Sequence, residues 1–253
     1  MASGLPYLLA ARRCEIAELE QLARHGALVT LLGRFAHELQ RERGTSNLFL
    51  ASQGRRGAGQ RLEQVAQCEA LERQVRAAFH TLLAEPVRNG ARLFGRIAVV
   101  LHALDALPAL RLRVAALALA PAEATAEFVR LIAGLLAVVF EAADSATDPE
   151  VSRALVALFN HMQGKEFAGQ ERAFGAAVFA SGRGDAASRQ HWQHLVDLQQ
   201  GCLQVFAALA QPALAAADEA QQDPAQRAEL ERLRRLGCAP GEGALLDPAL
   251  AKD

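Results

Sequence analysis

Two short stretches set arginine beside glutamate where helical spacing calls for apolar side chains. Ahead of Gln40-Arg41-Glu42-Arg43-Gly44-Thr45-Ser46-Asn47, the residues Leu28, Leu32, Phe35 and Leu39 recur at steps of four, three and four. That is the spacing of one buried helical stripe, and its continuation falls on Arg43, Ser46 and Leu50. A guanidinium cannot be neutralised at ordinary pH and is costly to bury, so Arg43 requires a carboxylate partner or an anion. Glu42 and Arg43 point about 100° apart on a helix and do not face each other. The second stretch, Lys165-Glu166-Phe167-Ala168-Gly169-Gln170-Glu171-Arg172-Ala173, carries the same Glu-Arg pair. Two chemistries therefore stand open: binding of an anion by arginine, or structural bridges from Arg43 and Arg172 to Glu42, Glu166 or Glu171 on other helices.

Other chemistries are poorly supplied. His191 and His194 are one turn apart, but no cysteine or third histidine lies at ligand spacing, so they read as a surface pair and no metal is expected. Ser46 and the scattered histidines compose no recognisable nucleophilic triad, and neither enzymatic turnover nor a cofactor is expected. The loop Gln53-Gly54-Arg55-Arg56-Gly57 lacks the GK[ST] ending of a phosphate-binding loop and reads as a solvated connection. It and the run Arg232-Leu233-Arg234-Arg235 lack interleaved aromatics, so this segment is not expected to bind nucleic acid directly.

The chain has 253 residues with 51% hydrophobic and 22% charged content, enough for one large or two modest helical cores. Its 27 basic and 28 acidic residues leave a formal charge of -1, so no global field draws it to nucleic acid or membrane. Cys14, Cys68, Cys202 and Cys238 show no CxxC spacing and read as reduced thiols in a cytoplasm. The best apolar stretch, residues 128–140, is short and contains Arg130, so neither an export signal nor a membrane span is expected.

The elements that must position the two motifs are helices throughout; no segment alternates like a strand. The spacing predicts a first helix over 5–23, a bend at His25-Gly26, and a second helix over 27–52 that carries the first motif. Further helices are predicted over 60–83, closed by Glu85-Pro86, over 91–120 with a bend or restart at Pro108, and over 122–143 after Pro121. Asp148-Pro149-Glu150 opens the next, to about residue 180, because aspartate caps a helix whose first position is proline. Helices over 186–210 and 224–236 follow, and Ala239-Pro240-Gly241-Glu242-Gly243 reads as a turn.

Self-comparison adds an internal repeat. Residues 27–31 align with 154–158, Glu42-Arg43 with Glu171-Arg172, Ala51-Ser52 with Ala180-Ser181, and 79–86 with 206–212. The ordered matches predict two related helical bundles, covering roughly 27–86 and 154–212. The register slips by two residues between the first blocks, which a bend at Gly164 or Gly169 would absorb.

The two motifs, in this order, resemble the paired signatures of the NIT domain, the nitrate- and nitrite-sensing domain of bacterial regulators. The likeness extends from Ala10-Ala11-Arg12 through Leu107-Pro108-Ala109-Leu110-Arg111 to Phe206. It implies an all-α fold of two four-helix bundles with an anion site lined by arginines of the motif helices. Carried over, Arg43 and Arg172 are the main nitrate or nitrite ligands; Arg235 is a third, with Arg232 and Arg234 as alternatives within the same run. A planar, weakly basic, singly charged anion suits flat multi-donor partners in a partly desolvated pocket better than a metal or a general base. The resemblance implies that such a sensor precedes an output domain, in some relatives an RNA-binding ANTAR domain that causes transcription antitermination and in others a chemoreceptor or kinase. Residues 1–236 are accordingly read as the sensor and 237–253 as a linker towards a covalently joined output domain absent from this chain, with a homodimer as a possible assembly. The competing reading is a helical scaffold or dimerisation module whose arginines are purely structural.

Overall fold

The computed structural model describes residues 4–84, 90–144, 148–181, 184–220 and 223–238. Among these, regular structure is entirely helical: α1 Leu5–Ala51, α2 Ala58–Leu83, α3 Ala91–Ala115, α4 Pro121–Asp144, α5 Pro149–Ser181, α6 Ala186–Leu209, α7 Pro212–Ala220 and α8 Pro224–Cys238. The chain forms two compact units, residues 1–152 and 153–253. Expected closures at Glu85-Pro86 and the turn from Ala239 to Gly243 lie outside the described residues.

The eight helices are not quite the predicted eight. His25-Gly26 does not bend the chain, and α1 runs unbroken for 47 residues. One interior glycine costs a helix only about 1 kcal/mol, which the packing on either side of it offsets. The extra element is α7, a nine-residue helix that starts at Pro212 and whose apolar pattern is too short to announce itself. Pro108 sits inside α3 without ending it, and α5 passes through Gly164 and Gly169 as one helix. The Asp148 cap forms as expected, its Oδ1 accepting from the amides of Glu150 at 2.8 Å and Val151 at 3.0 Å.

In the first unit α1 packs on α2 and α4, and α3 packs on α4. Leu28, Leu32, Phe35 and Leu39 are buried as their spacing predicts, and they meet a deep apolar filling that includes Val75, Leu104, Phe128, Ile132, Leu135 and Leu136. By length and composition α3 would suffice to cross a membrane. Here it lays Leu93, Ile97, Val100, Leu104 and Leu107 into the core of the bundle. In the second unit α6 packs on α8, and the buried apolar residues described are Ala157, Val178, Phe179, Trp192, Leu195 and Val196.

Candidate functional site

In the first unit the stripe delivers its charged continuation into the interior: Arg43 is 4% exposed, with Ser46 and Leu50 also buried. Glu42, one residue earlier and fully buried, faces another neighbour. Its carboxylate is held in a two-pronged fork by Arg111 of α3, with Nε donating to Oε1 at 2.8 Å and Nη2 to Oε2 at 2.9 Å. The remaining nitrogen of Arg111 lies 3.6 Å from Glu69 and 3.7 Å from Glu72 of α2. Arg76 then joins Glu72 at 2.9 Å to Asp105 at 3.0 Å. Burial disfavours the charge on Arg111, but the hydrogen bonds and charge of Glu42 outweigh it and raise its pKa. Beside the fork, burial and then the charge of Glu42 push the Cys68 thiol far above its ordinary range, so it stays protonated.

The second unit holds its motif glutamate in the same way. Glu171 is buried and accepts from Arg234 of α8, Nε to Oε1 at 2.7 Å and Nη2 to Oε2 at 2.6 Å. The indole N–H of Trp192 donates to the same Oε1 at 3.1 Å. Arg234 also donates to Glu231 at 2.7 Å and to the side-chain oxygen of Gln199. The hydrogen bond to Glu171 and its charge outweigh burial and raise the pKa of Arg234. Trp192 meets Phe179 edge-on with ring centroids 5.6 Å apart, and the backbone closes on it at two glycines. A Cβ at Gly175 would stand 2.8 Å from the indole, and one at Gly237 only 2.2 Å. Only glycine allows α5 and α8 to approach the ring this closely.

Of the residues singled out from the sequence, Arg43 is interior, whereas Arg172 and Arg235 are exposed on the second unit. The run at 232–235 divides by partner: Arg232 forks on Glu229, Arg234 on Glu171, and Arg235 belongs to neither network. Glu42 and Glu171, offered as structural partners for Arg43 and Arg172, are instead engaged by Arg111 and Arg234. Glu166 is buried and accepts from Gln170 at 2.8 Å. His191 and His194 are exposed, the former edge-on to Phe174 at 4.7 Å. Sequence reasoning did not assign Arg111 a role, although it lies in the Leu107–Arg111 segment; a pairing across 69 residues leaves no periodic trace.

The model of the nitrate and nitrite sensing family matches residues 34–249, a span that includes both Glu-Arg motifs, Arg111 and the 232–235 run. The chain belongs to the NIT family. It is 41% identical over 235 residues to a nitrate regulatory protein of Klebsiella oxytoca, covering 90% of this chain and 56% of that relative. The fold is also similar to that of the solved NasR transcription antiterminator, with a TM-score of 0.82 at 37% identity over 95% of this chain and 65% of the other. The chain thus spans little more than half the length of the curated relative it matches. The role by which this family is described is nitrate and nitrite sensing.

Proposed function

We propose that this NIT chain binds nitrate or nitrite through Arg43, Arg172 and Arg235 and relays a helix displacement to a C-terminal output domain. That output is an RNA-binding ANTAR domain acting in transcription antitermination, and the protein works in the cytoplasm without catalytic turnover. The observation that carries the reading is Arg43, a planar guanidinium 4% exposed on the core stripe of the first family motif. Such a donor fork in a low-dielectric setting suits a flat, weakly basic anion. Arg172 follows Glu171 directly, and Glu171 is latched to α8 by Arg234. A displacement of α5 at Arg172 therefore pulls on α8. We further propose that residues 27–86 and 154–212 descend from one repeated unit, with Glu42 and Glu171 at corresponding positions.

Thermal melts with nitrate, nitrite and chloride at equal ionic strength test the anion site. Ligand at about 100 times its dissociation constant should stabilise the folded state by roughly 2.7 kcal/mol, raising Tm by several degrees. Arg43→Lys and Arg172→Lys keep the charge but lose the planar fork, and each should shrink that rise. A nitrate shift no larger than that of chloride leaves the structural-scaffold reading standing, and a nitrate shift unchanged in both variants rejects the residue assignment.

A further inference from the structure

The connection between α1 and α2 belongs to a stretch of one charge sign. From Arg43 to Leu62 the chain carries four arginines and no acidic residue. Three of them, Arg55, Arg56 and Arg61, stand just before or within the first turn of α2. Arg61 is only 7% exposed, its Nε is buried without a hydrogen-bond partner, and it forms no ion pair among the described residues. Its guanidinium lies over the Phe49 ring, 5.0 Å from the centroid. A cation–π contact returns only part of what it costs to take a guanidinium out of water. The comparably buried Arg111 has Glu42 for its fork, whereas no carboxylate among the described residues balances Arg61.

The surroundings of Arg61 suit an oxyanion. The first helical bond of α2 is made by Arg61 itself, whose amide donates to the Gly57 carbonyl at 2.9 Å, and no side chain caps the helix. The amides of Ala58, Gly59 and Gln60 are therefore outward donors at the positive end of a 26-residue helix. Helical side chains lean towards the start of their helix, so Arg61 leans to the same end. Phe49 fixes the place: the tip of the ring beneath Arg61 stands 3.6 Å from where a Cβ at Gly54 would lie. Arg55 and Arg56 belong to that loop, and Ser52 fastens it. Its carbonyl accepts from Arg55 Nε at 3.0 Å and its hydroxyl from the Arg56 amide at 3.0 Å. Access is open at Gly59, where a Cβ would meet nothing within 4 Å. A guanidinium and a fan of amides approach a ligand from different directions, which fits a tetrahedral phosphate group better than planar nitrate.

We propose that the corner between α1 and α2 binds a phosphate group, with Arg61 as the buried anchor and the amides of residues 58–60 as further donors. This site is distinct from the one assigned to Arg43 and does not rest on the nitrate reading. In thermal melts at equal ionic strength, inorganic phosphate should raise Tm above its value in chloride, and Arg61→Met should abolish that rise. Gly59→Glu brings a carboxylate to the same helix end and should cut the rise, whereas Gly59→Gln should keep it. If Arg61→Met does not fold, the Gly59 variants decide. Arg43→Lys should leave the phosphate rise intact. A larger rise with glycerol phosphate than with inorganic phosphate identifies the ligand as a phosphomonoester, and a smaller one as the free ion. A phosphate rise no greater than that of chloride, or one that persists in Arg61→Met or Gly59→Glu, overturns the proposal. A rise that Arg43→Lys abolishes overturns it too, because phosphate would then be occupying the nitrate site.

Discussion

The two units solve one problem in different surroundings. Each carries a buried motif glutamate forked by an arginine from a later helix, yet Glu42–Arg111 is embedded in a broad apolar core, whereas Glu171–Arg234 rests on a small cluster around Trp192. In the first unit hydrophobic burial holds the helices and the ion pair selects their register; removing water from both charges costs much of what their attraction returns. In the second, the fork and the indole that bonds to it are a large part of what keeps α8 in place. A signal that loosens Glu171 should therefore move a helix, while one that loosens Glu42 should unsettle a whole bundle.

The most severe test of this contrast is Glu42→Gln. Removing the charge leaves Arg111 buried with weaker partners, a change that costs about 3 to 5 kcal/mol in comparable settings. Glu69 and Glu72, at 3.6 and 3.7 Å, should hold the loss to the lower end of that range. Glu171→Gln should cost less, because Arg234 keeps Glu231 at 2.7 Å. Urea denaturation of both variants checks the order, and an equal or larger loss at Glu171 breaks the contrast.

A smaller effect should follow from Gly237→Ala. The new methyl collides with the Trp192 ring, and overpacking of this kind costs about 1 to 3 kcal/mol, here confined to the docking of α8. Trp192 is the one tryptophan of the chain, so its emission should shift to the red as the ring gains water. Amide exchange should accelerate in α8 and not in α1 to α4; uniform acceleration would mean that the second unit is not held locally.

The smallest effect is a pH dependence in the first unit. Burial, and then the charge of Arg24, lower the pKa of His25 below its ordinary 6.5. The unfolded chain then takes up the proton first, so the contribution of neutral His25 is complete above about pH 6.5 and is lost as pH falls through the folded value. Urea midpoints between pH 7.5 and 5 should drop more steeply for the wild type than for His25→Gln. Parallel slopes would remove His25 from the acid response.

The sequence by itself determined most of the helices and the interior position of Arg43, because a helix repeats its faces with a fixed period and Leu28, Leu32, Phe35 and Leu39 define one of them. It determined as well that Glu42 and Arg43 could not satisfy each other, since adjacent residues diverge by about 100°. Tertiary structure decided which arginine reaches each glutamate: Arg111 and Arg234 arrive from helices 69 and 63 residues away, and local spacing has no information about such distances. Tertiary structure also decided that α1 passes straight through Gly26, since packing outweighs a weak local preference for breaking. That continuity makes residues 5–20, exposed on every face, one helix with the buried stripe: an apolar pattern at Leu5, Leu9, Ile16 and Leu19 is visible in the residues alone, but whether it is buried depends on a core that only the folded bundle defines.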